Sequence, residues 1–86
     1  MIIRFTKRAE KDLAGMDKPV AKDLVNFLEN HISVLANPRD EGRALSGRWR
    51  GYWRYRFGKY RIICEIVDEE LMIVIIKIGL RDSVYK

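Results

Sequence analysis

A run of arginines without any acidic residue is the part of this sequence best suited to chemistry. Between Gly42 and Cys64 there is no Asp or Glu. The same segment carries seven cations, which are Arg43, Arg48, Arg50, Arg54, Arg56, Lys59 and Arg61. A guanidinium group pairs bidentately with phosphate and keeps its charge at neutral pH. The segment therefore predicts a surface that binds a polyanion or an acidic protein.

Within this run, basic and aromatic residues alternate with the period of a strand. The even positions carry Arg48, Arg50, Tyr52, Arg54 and Arg56. The odd positions carry Trp49, Gly51, Trp53, Tyr55 and Phe57. Because alternate side chains of a strand point to opposite sides, this pattern predicts one aromatic face in the core and one basic face in solvent. Tyr52 is the one aromatic residue on the basic side, and we expect it to stack on a nucleic-acid base.

The last residues hold a second set of groups that could do chemistry. Arg81 and Tyr85 both lie in the final segment, Arg81-Asp82-Ser83-Val84-Tyr85-Lys86. A tyrosine can transfer a proton, and an arginine can stabilise developing negative charge. The same segment is also consistent with a frayed terminus, since terminal residues are often poorly ordered. Spacing alone does not choose between a catalytic tail and a frayed one.

The single histidine and the single cysteine favour no metal site and no cofactor. His31 lies at the border of the apolar stripe of the second predicted helix, so a structural role is favoured over a catalytic one. Cys64 lies among apolar neighbours and is expected to be a buried, inert thiol. One Cys and one His are too few soft ligands for a zinc site, and no glycine-rich phosphate loop is present.

The elements that must position these groups follow from hydrophobic period and breaker residues. A strand is predicted over 2–5, and a helix from Thr6 or Lys7 to about Gly15. A second helix begins after Asp17, carries an apolar stripe from Val20 to Leu35, and ends at Asn37-Pro38. The remaining predictions are a loop over 38–45, strands over 48–57, 60–67 and 71–78, turns at 58–59 and 68–70, and a short tail over 79–86.

This order predicts an α+β fold with the arrangement β-α-α-β-β-β. Two helices would pack on one face of a mostly antiparallel sheet and leave the basic face open. The 86 residues are expected to form one domain. The lone cysteine and the absence of an apolar leader predict a cytoplasmic protein, and no apolar run is long enough for a membrane span.

Several segments, in order and at similar spacing, resemble RelE-type toxins of the RelE/ParE superfamily. They are the Asn37-Pro38 break, Arg43-Ala-Leu-Ser-Gly47, Trp53-Arg-Tyr-Arg56, Lys59-Tyr-Arg-Ile62, Val67-Asp68, Gly79-Leu-Arg81 and Val84-Tyr85. The resemblance implies a fold like the one derived above. It also implies the toxin of a type II toxin–antitoxin system, acting as a metal-independent endoribonuclease that cleaves mRNA in the ribosomal A site. The cleavage would proceed by attack of the RNA 2′-hydroxyl on the adjacent phosphate.

The resemblance also assigns roles by position. Arg61 and Arg81 would hold the scissile phosphate, and Tyr85 would orient the 2′-oxygen or transfer its proton. Arg54 and Arg56 stand where the family usually has lysines. Because arginine cannot act as a base, Arg54 is expected to stabilise charge, and the general base stays open among Tyr85, Glu65, Lys59 and a ribosomal group. The expected RNA-binding set is Arg48, Arg50, Tyr52, Arg56 and Lys59.

The implied partners are a cognate antitoxin, the mRNA and the ribosome. The toxin–antitoxin complex would bind its own operator DNA, and an acidic or amphipathic antitoxin segment would cover the face from Arg48 to Arg61. Two alternatives remain. One is a ParE-like toxin of the same fold that poisons DNA gyrase without nuclease activity. The other is a non-catalytic nucleic-acid-binding module, which explains the charge but not Arg81 and Tyr85.

Overall fold

The structure is a computed structural model that describes residues 1–86, and its elements follow the predicted order. The helices and strands are β1 (Ile2–Phe5), α1 (Lys7–Ala14), α2 (Lys18–Phe27), β2 (Arg43–Ala44), β3 (Trp53–Phe57), β4 (Tyr60–Val67) and β5 (Met72–Leu80). Short 3₁₀ turns cover Pro38–Glu41, Gly47–Trp49, Asp68–Glu70 and Arg81–Tyr85. No helix is both long and apolar enough to cross a membrane.

The strands form one sheet in the order β1-β5-β4-β3-β2. β1 pairs with β5 in parallel, and every other neighbouring pair is antiparallel. The strand β5, which is apolar on both faces, lies inside the sheet between β1 and β4. The sheet and the two helices confirm the predicted α+β fold.

The first helix is fixed to the sheet by its N-cap. The Thr6 hydroxyl accepts a hydrogen bond from the backbone N–H of Ala9, at 3.1 Å, and donates to the carbonyl of Ile76, at 2.7 Å. Asp12, six residues after Thr6, accepts the backbone N–H of Ile78 at 2.9 Å. These contacts hold α1 against β5 at both of its ends.

The second helix ends earlier than its apolar stripe predicted. α2 continues as one wide π-helical turn, Leu28–Ile32, and stops there rather than at Asn37. The wide turn keeps both Leu28 and Ile32 fully buried, and the backbone N–H of Ser33 closes it on the carbonyl of Leu28. The N-terminal amine of Met1 donates to the carbonyl of Ser33, so a partner from outside the helix satisfies this end.

The core lies between the helices and the aromatic side of β3. Tyr55 is fully buried with Leu24 and Leu28 of the second helix, and Trp53 and Phe57 pack against the same cluster. The Tyr55 hydroxyl donates to the Pro38 carbonyl at 2.6 Å. The helices therefore cover the aromatic face, and the arginine face is turned away from them, as predicted.

The long strand predicted over 48–57 is wrong in its first half. Gly47 and Gly51 both have positive φ, 65° and 95°, and the chain makes a 3₁₀ turn at Gly47–Trp49. β3 begins only at Trp53, so Arg48, Arg50 and Tyr52 do not continue its basic face. Trp49 is also absent from the core that its odd position predicted. A two-residue strand, β2, lies where a loop was predicted.

Candidate active site

The C-terminal segment folds back across the side of the sheet that the helices leave open. A Cβ on Gly79 would lie 3.2 Å from the Cα and the Cβ of Val84, so a side chain at this position of β5 would push the tail outward by a few tenths of an ångström. Val84 is 1% exposed, and Ile63 of β4 is fully buried although both lie outside the helix-side core. The tail is thus a packed element rather than a frayed end.

The fold-back closes a small hollow lined by arginines. Its volume is about 260 Å³. The lining residues are Arg54, Arg56, Arg61, Arg81, Asp82 and Tyr85. Strands β3 and β4 supply the first three, and the tail supplies the others. Groups from the middle of the sequence and from its end therefore meet at one place, which we call the arginine hollow.

Arg54 and Tyr85 are in direct contact across the arginine hollow. The Nη1 atom of Arg54 donates to the phenol oxygen of Tyr85 at 3.1 Å. Both side chains are half-buried, and the Nε atom of Arg54 is buried without a hydrogen-bond partner. The contact fixes the phenol oxygen at the wall of the hollow, where it can reach a bound molecule.

Arg61 is the arginine of the hollow whose pKa is shifted. Its Nη1 atom donates to the carbonyls of Gly58 and Tyr60, both at 3.0 Å, which orients the guanidinium. Desolvation lowers its pKa from the usual arginine value, and the nearby charges of Arg56, Arg54 and Arg81 lower it further. Because the cationic form remains in place at neutral pH, the cluster gains stability from any anion that neutralises it.

Asp82 is the one site residue that sequence reasoning missed. It is the only carboxylate that lines the arginine hollow, and it takes part in none of the salt bridges. Its position next to Arg81, in the segment already considered for chemistry, is the sequence feature that could have identified it. Its carboxylate adds an acceptor beside four donors, so the hollow can both donate and accept hydrogen bonds.

The arginine hollow does not contain all of the predicted binding residues. Arg50 is exposed in the turn before β3, and Lys59 is exposed in the turn between β3 and β4. Tyr52 packs edge-on against Trp49, with ring centres 5.7 Å apart, rather than toward the hollow. Arg48 lies in the turn before β3 and not in the strand. It contacts the tail, where its Nη2 atom donates to the main-chain oxygen of Tyr85.

The histidine and the cysteine lie outside the arginine hollow. His31 is exposed, and its Nε2 atom contacts the carboxylate of Glu41 at 2.8 Å. Cys64 is buried, and this burial raises the pKa of its thiol to about 12. No group of three or more His, Cys, Asp or Glu residues is arranged to hold a metal ion.

The sequence matches a known family model over nearly its whole length. The model, described as the ParE toxin of a type II toxin–antitoxin system, covers residues 3–85. Toxin RelG of Mycobacterium tuberculosis is 29% identical over 84 residues, which cover 98% of this chain and 94% of that toxin. The mRNA interferase toxin RelE of Escherichia coli is 29% identical over 79 residues, covering 91% of this chain and 80% of that toxin.

Solved structures show the same similarity in three dimensions. The chain resembles the toxin–antitoxin complex RelBE2 from M. tuberculosis with a TM-score of 0.85, at 29% identity, over 93% of this chain and 90% of that one. A variant of E. coli toxin RelE in the free state gives a TM-score of 0.74 at 25% identity, over 98% and 88% of the two chains.

Proposed function

This chain belongs to the ParE toxin family of type II toxin–antitoxin systems, and we propose that it is a ribosome-dependent endoribonuclease that cleaves messenger RNA. The observation that carries the proposal is the convergence of Arg54, Arg61, Arg81 and Tyr85 on one hollow of about 260 Å³. The name of the E. coli relative, mRNA interferase toxin RelE, supports the same activity for this chain.

In the proposed reaction the RNA supplies its own nucleophile. The 2′-oxygen attacks the adjacent phosphorus and loses its proton, while the bond from phosphorus to the 5′-oxygen breaks and that oxygen gains a proton. The products are a 2′,3′-cyclic phosphate and a 5′-hydroxyl. Negative charge grows on the phosphate oxygens in the transition state, so fixed cationic donors lower the barrier.

The side chains of the arginine hollow take different parts in this step. Arg61 and Arg81 hold the phosphate and stabilise its developing charge, and guanidinium charge serves this purpose without a metal ion. Arg54 adds charge and holds the phenol, to whose oxygen it donates at 3.1 Å. Arg56 neutralises the RNA backbone. A proton must leave the 2′-oxygen, and Tyr85 is our candidate to orient or carry it.

The arginine hollow supports our favouring Tyr85 over Glu65 and Lys59. Glu65 and Lys59 are not among the lining residues, whereas the phenol oxygen of Tyr85 is held there by Arg54. A guanidinium cannot accept the proton. We propose that Tyr85 acts either directly or by aligning the 2′-hydroxyl with a base that the ribosome supplies.

The small size of the arginine hollow supports the proposed dependence on the ribosome, because the hollow can hold only a small part of the RNA. A volume of about 260 Å³ lies below the usual range of about 300–1,000 Å³ for small-molecule sites. The lining is almost entirely charged, and it includes no aromatic platform other than Tyr85. We propose that the ribosome presents one mRNA phosphate of the A-site codon to this hollow.

We propose that the partner is a cognate antitoxin with an acidic or amphipathic segment. The structural relatives include toxin–antitoxin complexes from M. tuberculosis and E. coli, and the arginine hollow is an unneutralised cationic surface. Such a segment would exclude RNA by charge and by volume. The complex, rather than the toxin alone, would bind operator DNA. Co-expression of the two genes from one operon should yield a stable complex, and recovery of free monomer alone would refute this partner.

The experiment that tests the proposed function is primer extension on an mRNA in a purified translation system. Wild-type protein should give cuts positioned by codon, and Arg81→Ala and Tyr85→Phe should abolish them. Lys22→Ala is the matched control, because Lys22 is exposed on α2, on the other side of the sheet. Cuts that persist in both site variants, or no cuts by the wild type, would refute the nuclease assignment.

The family match itself favours a second candidate. Because the matching model describes ParE toxins, we also propose a gyrase inhibitor as the alternative function. In that case the chain would leave mRNA intact and block DNA supercoiling by purified gyrase. The supercoiling assay, run on the same preparations as the primer extension, separates the two functions.

A further inference from the structure

Two cations on the open side of the sheet share one aromatic ring. The guanidinium carbon of Arg48 lies 5.9 Å from the centre of the Trp49 ring, and the Nζ atom of Lys77 lies 5.7 Å from it. Arg48 and Trp49 belong to the turn before β3, and Lys77 belongs to β5. Cation–π contacts of this kind, within about 6 Å, are attractive.

The same two cations hold the main chain of the tail. Arg48 Nη2 donates to the main-chain oxygen of Tyr85 at 2.5 Å. Lys77 Nζ donates to the main-chain oxygen of Lys86 at 2.7 Å. The main-chain oxygens of Tyr85 and Lys86 are thus each hydrogen-bonded to a side chain that contacts the Trp49 ring.

Burying the charged side chain of Lys77 in β5 costs free energy of folding. It is 7% exposed and is the only charged residue that the fold buries, and it forms no salt bridge. Desolvation lowers its pKa, as do the charges of Arg8 and Arg48, against an opposing effect of Asp12. A buried ammonium is costly unless polar partners compensate it, and the observed partners are the Trp49 ring and the main-chain oxygen of Lys86.

We propose that Arg48, Trp49 and Lys77 form a tail clamp, a set of positioning residues that holds the Tyr85 phenol in the arginine hollow. The tail alone is a 3₁₀ helix of five residues with one buried side chain, Val84. Such short helices have little intrinsic stability. The clamp supplies the missing constraint and so maintains the Arg54–Tyr85 contact. This inference rests on the proposed function for its catalytic consequence but not for its structural one.

The clamp reassigns two sequence predictions. Arg48 was expected to bind RNA, and here its guanidinium is engaged with the tail. Trp49 was expected in the core, and here it is the platform for two cations. Lys77 was hidden in an apolar strand segment, Leu71–Ile78, and no functional role was expected for it.

The structural consequence is tested by ¹⁹F NMR of the full chain labelled with 3-fluorotyrosine. Four tyrosines give four signals, and Tyr85→Phe identifies the one from Tyr85. In Lys77→Met that signal should move to the position of a solvent-exposed tyrosine, while the signals of Tyr55 and Tyr60 stay in place. Lys77→Arg keeps a donor on the same strand position and should restore the wild-type position. Lys22→Met is the control for loss of a lysine charge.

The catalytic consequence is tested by single-turnover cleavage on programmed ribosomes. We expect Lys77→Met to lower the cleavage rate about tenfold, since small displacements of a reacting group are costly, with ribosome affinity unchanged. Arg48→Gln, at an exposed position that does not threaten folding, should act in the same direction. An Arg48→Gln variant that weakens ribosome binding but leaves the Tyr85 signal in place would overturn the clamp role of Arg48.

The two proposals fail in different ways. If wild-type protein does not cut mRNA, yet the Tyr85 signal moves in Lys77→Met and returns in Lys77→Arg, the proposed function is wrong and the clamp stands. If the Tyr85 signal and the cleavage rate are both unchanged in Lys77→Met, the clamp is wrong whatever the activity of the chain.

Discussion

The guanidinium of Arg54 on β3 donates to the phenol oxygen of Tyr85 in the C-terminal tail, at 3.1 Å. The two residues are 31 positions apart in the sequence, and only the fold-back of the tail over Gly79 brings them together. The contact puts an ionisable oxygen at the edge of an arginine cluster. It is the structural basis for treating the tail as part of a reactive centre.

Tyr85→Phe tests the contribution of the phenol oxygen separately from that of the ring. The ring keeps its packing, while the Arg54 contact and any proton transfer are lost. We expect a fall in single-turnover mRNA cleavage of about 10²-fold or more, as is typical when an acid–base group is removed. Tyr60→Phe is the control, because Tyr60 loses an equivalent hydroxyl outside the arginine hollow. Equal rates in the two variants would show that the Tyr85 oxygen has no part in the reaction.

The arginine cluster should destabilise the toxin when no anion is bound to it. Arg56 and Arg61 are cross-strand neighbours, and like charges directly opposite each other are destabilising. Arg56→Gln should therefore raise Tm by about 2–4 °C, the range for a small surface-charge change in a chain of this size, and lower cleavage. High salt should shrink the difference in Tm by screening. A lower Tm in Arg56→Gln at low salt would contradict this view of the cluster.

Much of this cluster was predictable from the sequence, for a specific reason. Arg54 and Arg56 lie on β3, where basic and aromatic residues alternate without a break, so the side that each faces follows from the period. Arg61 is the cross-strand neighbour of Arg56. Arg48 and Trp49 were placed wrongly because Gly47 and Gly51 adopt positive φ and end the alternation. Both glycines were visible in the sequence, but their backbone angles were not.

The parts of the site that depend on distant contacts could not be predicted. The tail docks because Val84 packs on Gly79, and neither residue signals this contact by type or spacing. Lys77 lies in an apolar strand segment whose pattern gives no reason to expect a tie to Lys86. Family resemblance named Arg81 and Tyr85 as site residues, whereas their spacing alone left a frayed tail equally open.

Tyr55→Phe should destabilise the fold without touching the arginine hollow. The hydroxyl of Tyr55 is buried and donates to the Pro38 carbonyl at 2.6 Å, and burial raises its pKa, so it remains a donor at high pH. Removing it takes one buried hydrogen bond from the fold, at a cost of about 0.5–1.5 kcal/mol in the free energy of unfolding. Urea denaturation measures this loss. A change no larger than that of Tyr60→Phe would show that water replaces the bond.

Cys64 should be unreactive in the folded protein. Burial raises its thiol pKa from 9.0 to about 12, so the folded state keeps the proton that the unfolded state releases. Its contribution to stability is complete below pH 9.0 and is lost as the pH rises toward about 12. Iodoacetamide at pH 8.5 should therefore modify native protein far more slowly than protein in guanidinium chloride, since the thiolate is the reactive form. Equal rates would place Cys64 at the surface.

The central claim is that the arginine hollow activates a ribose 2′-oxygen against its own phosphate. It is tested most directly by cleavage of ribosome-bound mRNA in which one ribose, at the cut site, lacks its 2′-hydroxyl. We expect the unmodified message to be cut, leaving a 2′,3′-cyclic phosphate, and the 2′-deoxy message to stay intact at that position. Cleavage of both messages at the same position and rate would contradict the claim.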